Sequence, residues 1–104
     1  MLVPTLLASL FACTAGSSVA PALSAEAERG RSVYAANCTA CHNADPAKTG
    51  SLGPEVKGAT RELLEARVLR GEYPAGYTPK RTSTLMQPLP KLEADIDALF
   101  AYLR

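Results

Sequence analysis

Tryptophan is absent from this 104-residue chain, phenylalanine occurs twice and histidine once. The chain is therefore short of the large side chains that dominate cores, and a site built from two of its own histidines is excluded. It also lacks an excess of either charge. Eleven Lys and Arg against ten Asp and Glu leave a formal net charge of +1, which excludes the basic footprint of a nucleic-acid binder. No internal repeat is visible, and no apolar run is long. The stretch Leu2–Ala12, L-V-P-T-L-L-A-S-L-F-A, is too short to cross a bilayer as a stable helix but has the length of the apolar core of an export signal. No Lys or Arg precedes it, so the Met1 amine alone supplies the positive end.

The small residues that follow end in Leu23-Ser24-Ala25, and an acidic, helix-favouring run begins at Glu26. This predicts a signal peptide over 1–25, removed by signal peptidase, and a domain over 26–104. The alternative is a lipoprotein signal over 1–12: Leu10-Phe11-Ala12-Cys13 resembles a lipobox, although Phe11 stands where a small residue is usual. Cys13 would then carry the lipid, with 13–25 as a flexible tether. Both readings put the domain outside the cytoplasm, in the periplasm or otherwise exported, and only the second attaches it to a membrane. A domain of about 79 residues buries too little apolar surface to be comfortably stable alone, so a staple is expected.

Helices are predicted to dominate. Over Glu26 to about Ala40, Gly30, Val33, Tyr34 and Asn37 share a face at helical spacing, with acidic residues in the first turn. Asn43 to Ser51 has turn chemistry, and Gly53-Pro54 closes that loop. A second helix over Thr60–Arg70 is capped by Thr60, has Leu64 and Val68 on one face, and stops at Gly71; Arg61, Arg67 and Arg70 fall to its exposed side. Tyr73 to Pro90 holds four prolines, and an ordered loop of that length in so small a domain is normally there for a site. Leu92, Ile96, Leu99 and Leu103 then mark a terminal helix.

The chemistry centres on Cys38-Thr39-Ala40-Cys41-His42, a C-x-x-C-H motif of haem attachment. Two thiols that close can add to the two vinyl groups on one porphyrin edge, and the adjacent imidazole then reaches the iron. Three other readings stand beside it. Zinc wants four ligands and finds three here, a thioredoxin-like pair wants a strand-helix-strand frame, and a disulfide across so small a loop constrains little. His42 is the one histidine, and Met86 is the one methionine apart from Met1. Met86 is therefore the candidate second iron ligand, its plainer role being a gap-filling core residue.

Gly30 and Tyr34, the C-x-x-C-H motif, Gly53-Pro54, and Met86 ahead of a helix ending Leu99-Phe100-Ala101-Tyr102-Leu103 together resemble a class I cytochrome c, over nearly all of residues 26–104. The resemblance implies an all-α cytochrome c fold: three to four helices wrapped around one covalent haem c, with the N- and C-terminal helices crossing near a right angle where Gly30 lets aromatic residues such as Tyr102 approach. It implies a Pro54 carbonyl that accepts from the His42 ring, against the plainer reading of Gly53-Pro54 as a turn. It also implies haem-propionate donors among Tyr73, Tyr77, Lys80 and Arg81, Tyr77 and Arg81 being the chosen pair, against solvated loop polarity. Gln87, between Met86 and Pro88, departs from the commonest family wording.

The expected function is that of a monomeric one-electron carrier between a redox-protein donor and acceptor, with His42 and Met86 on the iron and no substrate transformed. A haem-based sensor with a labile Met86, or an accessory haem subunit of a larger oxidoreductase, are the alternatives. Basic residues between Lys57 and Arg81 set against Glu93, Asp95 and Asp97 would orient docking, or form an ordinary mixed surface.

Overall fold

The computed structural model describes residues 22–104; the apolar run Leu2–Ala12 and Cys13 lie outside them. Among the described residues there is no strand, and no helix is long and apolar enough to cross a membrane. Three helices carry the fold, all-α as the sequence predicts.

Helix α1 spans Ala25–Asn37. The Ser24 hydroxyl caps it by accepting from the Ala27 N–H, with Glu26 and Glu28 in the first turn where the dipole favours them. Its buried residues are Ala27, Gly30 and Tyr34; Val33 and Asn37 are half-buried. The buried stripe is thus narrower and smaller than the predicted face, because it has to lie close against another helix. The helix stops three residues earlier than the expected Ala40, with Cys38 as its C-cap.

Helix α2, Arg61–Leu64, is capped by the Thr60 hydroxyl, which accepts from Leu63 N–H. It widens into a π-helical turn over Glu65–Leu69, a local form found mostly near functional sites. Leu64, Ala66 and Val68 point inward. Two carbonyls of this last turn find partners downstream: Ala66 accepts from the Glu72 N–H at 2.9 Å and Val68 from the Leu89 N–H at 2.5 Å. The second bond returns the long Pro-rich loop to the body of the protein and satisfies a helix-end acceptor.

A 3-10 segment over Pro90–Asp95 leads into helix α3, Ile96–Leu103. The predicted apolar face splits between the two, since Leu92 belongs to the 3-10 segment, yet Leu92, Ile96, Leu99 and Leu103 are all buried. Helix α3 lies against α1, and Gly30 makes this possible: a Cβ there would collide with the Ala98 carbonyl and lie 2.9 Å from the Tyr102 Cβ. The tightest contact is therefore backbone, with the aromatic partner second. Tyr34 and Tyr102 pack beside it with ring centroids 5.7 Å apart. The core is Tyr34, Leu64, Val68, Leu92, Ile96, Leu99 and Leu103.

Tyr34 also works outside this core. Its hydroxyl donates to the Asn43 carbonyl at 2.5 Å, tying the turns after α1 back onto the helix, and burial pushes its pKa up to about 12. An unfolded tyrosine ionises near 10, so folding stability should be intact below about pH 10 and fall as pH rises toward 12, where only the unfolded chain gives up the proton. Thermal unfolding of Tyr34→Phe against pH should lose that part of the alkaline slope, and cost about 1 kcal/mol at neutral pH. Gly30→Ala should destabilise by about 1–3 kcal/mol through overpacking at the helix crossing, read from the same unfolding curves.

Candidate functional site

The cysteine motif sits where α1 ends. Cys38 N–H still bonds the Tyr34 carbonyl, and the Cys41 and His42 N–H groups turn back on the Cys38 carbonyl at 3.2 and 2.9 Å. This single extra turn brings both thiols and the imidazole round to one wall of a cavity of about 570 Å³, within the range of cofactor sites. Both thiols are free and half-buried. Burial pushes Cys38 up to about 11, so the free thiol is neutral at neutral pH. Among the described residues no three His, Cys, Asp or Glu groups converge on a metal-sized point.

His42 is held by its neighbours. Its Nδ1 lies 2.8 Å from the Pro54 carbonyl. A carbonyl only accepts, so Nδ1 carries a proton, and in the neutral ring Nε2 is then the nitrogen with the lone pair. The ring lies flat against Gly53, where an added Cβ would stand 2.5 Å from Cε1 and 2.6 Å from Nδ1. Gly53 is therefore needed for close approach, its φ being outside the left-handed region. Its loop is held by the Gly53 and Leu52 N–H groups bonding the Cys41 carbonyl at 3.0 and 3.1 Å.

Met86 reaches the same cavity from the far loop, half-buried and packed against the core. Tyr77 and Arg81 line it too. Tyr77 is stacked on Tyr73, centroids 5.6 Å apart and planes 9° from parallel. All seven predicted site residues, Cys38, Cys41, His42, Pro54, Tyr77, Arg81 and Met86, thus border one space.

Two residues differ from the sequence reading. Arg67 does not lie on the exposed side of α2: it lines the cavity, donates to the Gly71 carbonyl at 2.9 Å and stacks 4.2 Å from the Tyr73 ring centroid. Its spacing of three from the buried Leu64 and four from Leu63 was the available signal. Lys80, a candidate anion donor, lines the same cavity but has its ammonium paired with Glu55. Its Nζ donates to the Glu55 carbonyl at 3.1 Å and pairs with the Glu55 carboxylate at 3.0 Å. Arg61 and Arg70 are exposed as expected.

The chemistry of this lining fits the porphyrin expected from the sequence. Leu63, Leu64, Val68, Leu89, Leu99 and Leu103 give an apolar slot, two thiols stand on one edge, an imidazole with a bare Nε2 is on one wall and a thioether is on the wall formed by the loop. A second depression, about 330 Å³ between Glu26, Arg61, Asp97, Phe100, Ala101 and Arg104, holds none of the predicted site.

A family model described as "Cytochrome c" matches residues 27–104. The protein is also similar to a "Cytochrome c-553-like" protein of Synechocystis sp., 29% identical over 75 residues that cover 72% of this chain and 67% of the other. No solved structure matches. Gly53→Ala should force the His42 ring off the Pro54 carbonyl. The expected result is destabilisation of about 1–3 kcal/mol in thermal unfolding with an altered visible spectrum; Gly58→Ala, strained by its positive φ but meeting nothing within 4 Å, should lose stability without that spectral change.

Proposed function

The chain belongs to the cytochrome c family, as a small class I member with the all-α fold of that family, and from this premise we propose that it is an exported one-electron carrier in which His42 and Met86 ligate the iron of a single haem c. Members of the family hold haem c covalently through C-x-x-C-H, and Cys38 and Cys41 have that spacing. When bound, haem c supplies a ferric/ferrous couple whose potential is raised by a thioether ligand relative to a second imidazole. The observation that carries the reading is the convergence of both thiols, the His42 imidazole and Met86 on one apolar cavity.

The remaining roles follow from the chain's own groups. Pro54 fixes the His42 tautomer and makes the imidazole a stronger donor. Both candidate ligands line the one cavity, His42 from the turn after α1 and Met86 from the loop before α3. The apolar lining keeps water from the cofactor and so keeps reorganisation on electron transfer small. Tyr77 and Arg81 border the cavity as candidate donors to the haem propionates. The protein works as a monomer that transforms no substrate and meets its donor and acceptor through the open side of this cavity.

Export rests on the leader read from residues 1–25, or on lipidation of Cys13. Intact mass of the protein recovered from periplasm and from membranes separates the two: cleavage after Ala25 gives a soluble chain beginning at Glu26, and lipidation gives a membrane-bound chain beginning at Cys13. The function is tested by visible spectra. The exported protein should show covalent haem, low-spin in both oxidation states, with a weak ferric band at the red end that Met86→Ala loses. Carbon monoxide should leave the reduced wild-type spectrum unchanged. A full carbon monoxide shift in wild type would instead support a ligand-binding module.

A further inference from the structure

The loop that brings Met86 to the cavity is scarcely tied to the rest of the protein. Residues 78–85 are all exposed. Between residues 78 and 88 the only hydrogen-bonded links to other parts of the chain, among the described residues, are those of Lys80 to Glu55; the Leu85 N–H bond to the Ser83 hydroxyl is internal to the loop. Firmer anchors lie outside that span. Tyr73 and Tyr77 are held by the stack with Arg67 on one side, and Leu89 bonds the Val68 carbonyl on the other.

Lys80 grips a significant place. Glu55 follows Pro54, the residue whose carbonyl orients His42, and the ammonium takes both the Glu55 carbonyl and its carboxylate. The Glu55 carboxylate also accepts from the Thr49 hydroxyl at 3.4 Å. Donation from Lys80 holds the Glu55 carboxyl below its ordinary range, so the pair is charged at neutral pH. The segment that follows His42 and the loop that carries Met86, both lining the cavity, are thereby bonded to each other.

We propose that Lys80 and Glu55 are positioning residues that latch the Met86 loop shut, so that the rate at which Met86 leaves the iron is set by this surface pair. The inference rests on the reading of Met86 as iron ligand. An exposed ion pair is a weak fastening, and screening by salt weakens it further. The sixth ligand is then held by a contact that can be loosened without disturbing the core.

The test uses the ferric holoprotein and two readouts. One is the rate at which cyanide displaces Met86, which requires the loop to open. The other is the rate of thermolysin nicking near Leu85, which is 64% exposed and reports opening whether or not Met86 binds iron. Lys80→Met, which keeps the aliphatic stem and removes both links, should raise both rates several-fold. Glu55→Gln, which leaves the main-chain carbonyl as acceptor, should raise them less, and the double variant should show the two changes to be non-additive. Lys80→Arg should restore near wild-type rates, and Glu62→Gln, an exposed carboxylate on α2, should change neither.

Wild-type rates in Lys80→Met overturn the latch. A full effect of Lys80→Met with none from Glu55→Gln overturns the part of the carboxylate and leaves the Glu55 main-chain carbonyl as the acceptor. If wild type lacks the red ferric band, the Met86 assignment fails separately, and the nicking rates still decide the latch.

Discussion

A single hydrogen bond, from His42 Nδ1–H to the Pro54 carbonyl at 2.8 Å, sets the terms for the rest of the site. It fixes which ring nitrogen carries the proton and leaves Nε2 of the neutral ring for the proposed ligand role. Its cost is carried by the backbone. Residue 53 has to be glycine for the ring to lie where it does, and the loop from Cys41 to Gly53 folds on itself through paired main-chain bonds to hold the carbonyl in place. The sequence invests a glycine and a proline side by side to secure one atom's protonation.

Packing follows a similar logic. The chain has few large apolar side chains, and it uses several of them twice: Leu64, Val68, Leu99 and Leu103 belong to the core and also line the cavity. Helix α1 has little apolar surface of its own and compensates by approaching α3 as closely as backbone allows at Gly30. The domain is therefore built as a shell around a slot. Filling the slot with a large apolar ring would complete a core the polypeptide lacks by itself, so binding and folding stability are expected to be closely coupled.

Much of this was legible in the residues. The C-x-x-C-H spacing, a lone histidine, a lone internal methionine in a Pro-rich loop and a four-three-four leucine and isoleucine pattern at the end gave the helices, the cofactor class and the candidate ligands. The family match over residues 27–104 agrees with the first two. What stayed hidden depended on distance in space. Neither the contact of Gly53 with the His42 ring nor the bond from Tyr34 to Asn43 has a local signature, because each joins segments separated by turns of no fixed period. The charge of Arg67 marks it for exposure in the sequence, whereas a guanidinium can stack on a ring at the edge of an apolar face. Lys80 was read for its charge alone, and its partner Glu55 lies 25 residues away. The widening of α2 into a π turn has no marker in its residues that separates it from an ordinary helix.

The four tyrosines fall into two couples, Tyr34 with Tyr102 where the terminal helices meet and Tyr73 with Tyr77 at the cavity mouth. With no indole in the chain to mask them, these phenols are its only strong intrinsic fluorophores. Light emitted by the haem-free chain thus comes from two separate places, one reporting the helical frame and the other the rim of the slot, and a bound haem would quench both. Replacing either couple with phenylalanine would leave an optical signal belonging to the other alone.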